Sequence, residues 1–213
     1  GTDATLGLPN ESWQNPYATY PRCSKPNLLV ISDIYPNYDS DQVPGSYFNA
    51  FSSDLSPALN ESSIGQSIFS GEGFGVVSAF IGQSAGSTDG APTPKPISSF
   101  GNIRGLAPHD ANIEGSYYSA SVAHYGLTND VNSAEGSQNI ASYMVGLSSP
   151  FPEIKFNVGG NPVTIIPFGK SVKGSGINAA EGSYQPNNNV VDFYIESLSD
   201  TSGVFRVNFE DVQ

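Results

Sequence analysis

A mixed α/β, strand-rich fold is predicted by three features of this sequence. An apolar run, Leu28-Leu29-Val30-Ile31, stops abruptly at Ser32-Asp33. A leucine and β-branched run of this length reads as a strand buried on both faces, the habit of parallel sheets. A second run, over residues 140–147, follows a segment of helical periodicity. Strand, helix and strand in that order fit a right-handed crossover in a parallel sheet. After Phe151 the pattern turns to β segments joined by glycine-rich or polar turns, which read as hairpins.

The elements follow in chain order. Residues 1–24 are punctuated by Leu8-Pro9-Asn10, Asn15-Pro16 and Tyr20-Pro21, and predict an extended arm whose Trp13 and Tyr17 dock on the body. Residues 25–213 then form one α/β-to-β domain, opening with the strand at 28–32. Asn60-Glu61-Ser62-Ser63-Ile64 has the composition of a capped helix start. Short apolar patches at Ser67-Ile68-Phe69 and over 73–81 are interrupted by Gly and Ser, and the tract 82–96, GQSAGSTDGAPTPKP, reads as a surface loop. The clearest helix spans 114–125: Tyr117, Ala120, Ser121 and His124 share one stripe, Tyr118, Val122 and Tyr125 the adjoining one, and Gly126 is placed as its stop. Residues 154–158 and 162–168 form a hairpin across Gly159-Gly160-Asn161. Residues 190–197 and 204–209 form another across 199–203.

Composition narrows the function. Only 13% of the 213 residues are charged, while 23 Gly, 16 Pro, 11 Tyr and 12 Phe are present; this balance suits a loop-rich extracellular domain. The net charge of −12 with eight basic residues argues against nucleic acid, because no phosphate-neutralising surface can be assembled. It is compatible with cation binding. Cys23 is the single cysteine, so its partner lies in another segment or subunit, or else it is a small buried hydrophobe. No stretch reaches the roughly 18 apolar residues of a membrane span. The start at Gly1-Thr2-Asp3 and the end at Asp211-Val212-Gln213 are those expected of a segment cut from a longer precursor.

Chemistry concentrates in one place. Asp33 ends the first strand, and Asn37, Asp39 and Asp41 follow at alternate positions. Hard oxygen donors in this pattern are what a loop offers a calcium ion, and the four are the candidate ligands. The sixth-position glycine and bidentate glutamate of an EF-hand are missing, so a solvated acidic turn is the competing reading. Nothing comparable points to catalysis. His109 and His124 are the two histidines, and His124 lies on the helix stripe, where a half-buried structural role fits better than a general base. No nucleophile elbow, phosphate loop or dinucleotide fingerprint occurs. The run Tyr47-Phe48-Asn49-Ala50-Phe51 is either a contact surface or ordinary core. Asn10-Glu11-Ser12 and Asn60-Glu61-Ser62 match the N-glycosylation pattern, which has meaning only in a eukaryotic secretory route.

Several of these landmarks stand in an order that resembles the PilC/PilY family, the tip-associated adhesins of bacterial type IV pili. They are Cys23 with Lys25-Pro26-Asn27-Leu28-Leu29-Val30-Ile31-Ser32-Asp33, then Tyr38-Asp39-Ser40-Asp41-Gln42-Val43-Pro44-Gly45, Arg104-Gly105-Leu106-Ala107-Pro108 and Glu114-Gly115-Ser116-Tyr117-Tyr118. Pro167-Phe168-Gly169-Lys170-Ser171, Val191-Asp192-Phe193-Tyr194 and Val207-Asn208-Phe209-Glu210-Asp211 continue the series, so the resemblance runs from about Leu6 to Asp211. It implies a von Willebrand factor A-like domain in which the strand ending at Asp33 is a core strand of the second half. No Asp-x-Ser-x-Ser precedes Asp33, so the first ligands of an adhesion-type metal site either lie in another segment or are absent. The resemblance further implies secretion to a pilus or the cell surface, no enzymatic activity, and partners among pilus components or other precursor segments. A self-assembling subunit of an extracellular filament is the alternative, because the arm and the terminal hairpins offer strands for pairing between copies.

Overall fold

The computed structural model describes residues 14–15, 17–20, 23–41, 43–86, 90, 92–107, 114–147, 154–165, 188–199 and 201–211. Among them the order is β1 (Asn27–Asp33), β2 (Val43–Pro44), β3 (Ala50–Phe51), α1 (Glu61–Gly71), β4 (Val77–Ile81), β5 (Gln83–Ser84), β6 (Thr93–Ile97) and β7 (Ile103–Arg104). Then come α2 (Tyr118–Thr128), β8 (Ala141–Leu147), β9 (Ile154–Val158), β10 (Asn161–Ile165), β11 (Asn188–Leu198) and β12 (Gly203–Asp211). The mixed α/β, strand-rich class is as expected. Among the described residues, however, every sheet is a pair of strands.

The crossover is present. β1 and β8 run parallel and in unbroken register from Asn27 opposite Ala141 to Asp33 opposite Leu147, with both helices lying between them in sequence. The expected burial is not. Leu29 is 60% exposed, Ile31 65%, Tyr143 60% and Met144 58%, although α2 packs alongside β8. The run was read correctly as a strand, but its expected burial on both faces is corrected: among the described residues β1 is exposed along its whole length.

The covered core lies elsewhere. Phe69 on α1, Ile81 on β4, Ile97 on β6 and Ile103 on β7 form one buried cluster, flanked by Ala79, Phe100 and Leu106. Phe69 and Phe100 meet edge to face with centroids 5.0 Å apart, and Phe100 stacks on Tyr117 at 4.3 Å, geometries that aromatic quadrupoles favour.

Three expectations are corrected here. The loop over 82–96 contains β5 and most of β6, with Pro92 and Lys95 buried. Pro94 and Pro96 alternate with Thr93, Lys95 and Ile97 opposite β4, so the missing N–H groups of the prolines point to one edge and the ladder can form on the other. The Lys95 ammonium is satisfied by Ile81 O at 3.2 Å and Thr93 Oγ1 at 2.7 Å. The second helix starts at Tyr118 rather than Glu114, because residues 114–117 are held by other contacts: Glu114 has φ 51° and Ser116 bridges Arg104 in antiparallel fashion. It also runs past Gly126 to Thr128, closing where Asn129 N–H donates to Tyr125 O. Its buried stripe is Tyr118, Ser121 and Tyr125, and His124 is exposed rather than half-buried. Cys23 is exposed, which removes the reading as a buried hydrophobe.

Other expectations hold. Asn60 caps α1, its Oδ1 accepting from Ser63 N at 2.8 Å. Tyr17 is buried at 7% exposure; Trp13 and most of the expected arm lie outside the described residues, as does His109. Gly159 and Gly160, both at positive φ, turn the hairpin of β9 and β10 as a two-residue loop demands. The hairpin of β11 and β12 forms with two register shifts; residues 166–168 lie outside the described set. Of the aromatic run, Tyr47 and Phe51 are exposed, and Phe48 lies under the Arg104 guanidinium.

Candidate functional site

The acidic loop leaves β1 and is pinned against the start of α2. Asp33 makes a local turn, its Oδ1 accepting from Tyr35 N at 3.0 Å, and remains exposed, as does Asn37. Gly115 packs on the Pro36 carbonyl so closely that any Cβ would overlap it. Tyr38 takes a left-handed φ of 48°, unusual for a residue with a side chain, and Asp39 then turns inward. Its Oδ1 accepts from Ser116 N at 2.6 Å, and the Ser116 hydroxyl lies 3.3 Å from Asp39 O. Ser40 is fully buried, its carbonyl accepting from the Ser46 hydroxyl at 2.5 Å. Asp41 is half-buried.

The two helices converge on this loop. Ser116 Oγ accepts from Tyr118 N at 3.1 Å, satisfying an N–H that α2 leaves open at its start. The Tyr118 hydroxyl donates to Gly101 O at 2.8 Å and accepts from Tyr47 N at 2.9 Å, with Ser62 Oγ 3.3 Å away. Ser62 in turn donates to Gly45 O at 2.6 Å. One phenol thus ties both helix starts to two loops, those between β2 and β3 and between β6 and β7. An open cavity of about 320 Å³ lies beside it, lined by Tyr47, Ser62, Ser63, Gln66, Ser99, Gly101 and Asn102.

Glu61 is the anomaly. It sits in the first turn of α1 at 2% exposure, and its Oε2 has no hydrogen-bond partner. Loss of water pushes its carboxyl up to about 7, with the Asp39 charge adding to the shift. Asp39 is raised too, first by burial, although its bonds to Ser116 oppose the change. Among the described residues no group of three or more His, Cys, Asp or Glu side chains is placed to hold a metal. Of the four predicted ligands, the structure turns Asp39 toward Ser116 and half-buries it, half-buries Asp41, and leaves Asp33 and Asn37 at the surface. Sequence reasoning passed over Glu61. A usable signal was there, since Glu61, Gly65 and Phe69 fall at i, i+4 and i+8 on one helix face.

A family described as the second domain of PilY1 homologs matches residues 1–126, and a family described as the β-sandwich of PilY1 homologs matches residues 156–213. A type IV pilus biogenesis factor PilY1 homolog from Xylella fastidiosa is 38% identical over 238 aligned residues. That alignment takes in 99% of this chain but 16% of the relative, so the chain spans about a sixth of the relative's length. No solved structure matches. Since the first family covers more than half of the sequence, the chain belongs to the PilY1 homolog family.

Proposed function

We propose that this chain is a secreted, non-enzymatic surface module of a type IV pilus-associated protein, acting in adhesion through its loops. Family membership supports the pilus association. The observation that carries the rest is the β1–β8 pair, whose side chains are apolar and exposed on both faces. Parallel strands are stable when both faces are covered. The pair therefore reads as a fragment of a von Willebrand factor A-like sheet that other segments of the precursor complete. Asp33 lies at the carboxyl end of β1, where ligands of such sheets gather. Calcium held by Asp33, Asn37, Asp39 and Asp41 would order the loop above it.

Antibodies raised against residues 1–213 test this reading on piliated cells. Labelling of pili or the cell surface, and loss of attachment when the antibody is present, are the expected results. Labelling confined to the cell interior would overturn it. Replacing Asp39 and Asp41 by Asn should lower thermal stability only when calcium is present; an equal loss in chelator would remove calcium from the proposal.

Among the described residues β1 and β8 pair only with each other, and their outer edges favour a second reading, a subunit that self-assembles into a filament by strand pairing. Light scattering and negative-stain microscopy decide it. Long regular particles would support assembly, and a monodisperse monomer would exclude it.

A further inference from the structure

We infer that the open cavity beside Tyr118 is a binding site for one neutral pyranose, the ring unit of glycans. The inference rests on the adhesion reading for its setting and names a ligand class for it. The walls come from the first turns of α1, the loop between β6 and β7, and Tyr47 in the loop between β2 and β3. They are held in place by bonds already made. Tyr118 OH lies 2.9 Å from Tyr47 N, 2.8 Å from Gly101 O and 3.3 Å from Ser62 Oγ, and Gly101 N donates to Ser99 Oγ at 2.9 Å. Glycine lets the two larger walls meet with no side chain between them. A Cβ on Gly101 would strike the Ser62 carbonyl, and one on Gly65 would strike Gly101 N. Walls fixed before a ligand arrives cost little ordering entropy on binding.

The lining selects the ligand. None of its residues is charged at neutral pH, so an anion meets no basic group there and a cation no carboxylate. Hydroxyls and amides are what it offers. Among the described residues, Ser63 Oγ and Tyr47 OH meet no hydrogen-bond partner, and Asn102 Oδ1 has none either. Gln66 spends its Nε2 on Ser70 Oγ at 3.1 Å and Ser98 O at 3.4 Å, which leaves Oε1 to accept. Uncharged groups that donate and accept match sugar hydroxyls, which do both. Tyr47 supplies the apolar half of the match: its ring is 52% exposed and is met edge to face by Phe48 at 5.4 Å. The C–H face of a pyranose packs on the electron-rich face of such a ring. The volume of about 320 Å³ stands at the small end of the roughly 300–1,000 Å³ of ligand sites, which suits one ring. A peptide added as a strand is disfavoured, because no lining residue belongs to a strand.

The test is an amide-detected NMR titration of the isotope-labelled 213-residue chain. The probes are the methyl pyranosides of mannose, glucose and galactose, with N-acetylneuraminic acid as the anionic control and a capped glycine–serine tripeptide as the peptide control. At least one pyranoside should saturate with a dissociation constant on the order of 1 mM, shifting the amides of Ser63 and Gly101. Tyr47→Ala should weaken that binding about tenfold or more, and its spectrum away from the cavity reports that the fold is kept. Tyr47→Phe retains the ring and should stay within about threefold of wild type. Tyr143→Ala removes another exposed ring, on β8, and should change nothing. No saturation by any pyranoside, binding that survives Tyr47→Ala, or a response to the anion or the peptide alone would overturn the inference. If the pyranosides fail while the antibody still blocks attachment, the adhesion reading stands without this site. Pyranoside binding through Tyr47, with attachment indifferent to the antibody, would keep the site and remove adhesion.

Discussion

The junction around Tyr118 and the ribbon of β1 and β8 reverse the usual assignment of polar and apolar groups. At the junction a glutamate, several serines and a tyrosine hydroxyl are sealed from water. On the ribbon Leu28, Leu29, Val30 and Ile31 face it. The junction is closed by its own chain, because hydrogen bonds from Ser116, Tyr118 and Ser62 span loops distant in sequence. The ribbon has a matched partner strand and, among the described residues, no lid. Local sequence thus specifies what a segment is, while coverage is decided by what lies next to it.

The largest way to break this contrast is to attack the covered side. Phe69→Ala empties a position touching Ile81, Ile97 and Ile103 and removes the ring contact with Phe100. It should cost about 3–5 kcal/mol in denaturant unfolding, enough to leave a domain of ordinary stability marginal. A loss below about 1 kcal/mol would mean that this cluster is not the main core.

Next in size is Gly115→Ala. Its Cβ would strike the Pro36 carbonyl, which is backbone and cannot swing aside. About 3 kcal/mol is expected, with the acidic loop displaced from Ser116. Amide exchange would show it, because the Ser116 N–H donated to Asp39 should lose its protection. Unchanged protection would indicate that the loop is anchored by Ser40 and Ser46 instead.

Much of the fold was legible from the sequence, and the failures share a cause. The apolar runs gave β1 and β8 and their crossover, Asn60 gave the start of α1, and Gly159-Gly160 gave a hairpin. Each signal is local. Where reading failed, a tertiary contact overrode local preference. Residues 114–117 have helical periodicity but are held by Asp39, Pro36 and Arg104. The proline-rich tract at 92–96 looks like a loop yet pairs with β4 because its prolines alternate. Of the candidate site, Asp39 was legible as an oxygen donor in an acidic loop. Its inward turn depends on Ser116, which lies 77 residues away, and no spacing rule reaches that far. Glu61 was hidden because an acidic residue in a first helical turn is ordinary at a surface.

A smaller effect sharpens the polar half of the contrast. Glu61 holds its proton in the folded state up to about 7, against an ordinary value of 4.5. Between those pH values the folded chain binds more protons than the unfolded one, so stability falls as pH rises through the window and levels off above it. Asp39 shifts in the same direction. In chelator the loss should be on the order of 2 kcal/mol, and Glu61→Gln should flatten the profile. A wild-type curve that is already flat across the window would mean that water reaches the carboxylate.

The smallest effect is the most telling for the ribbon. Leu29→Ser/Tyr143→Ser alters two residues opposite one another in β1 and β8, each 60% exposed. Removing exposed apolar groups takes away little burial, so the change in unfolding free energy should be under about 0.5 kcal/mol, well below the Phe69 effect. Solubility should rise, since a large apolar patch is lost. A loss above about 2 kcal/mol would show that residues of this chain outside the described set cover the ribbon. Within a longer precursor of the kind proposed above, the same pair of substitutions should behave differently. If further strands and helices pack on β1 and β8 there, both side chains become core positions and the cost should rise to several kcal/mol. Equal, negligible costs in the 213-residue chain and in such a precursor would leave the ribbon uncovered in both and remove the parallel-sheet reading.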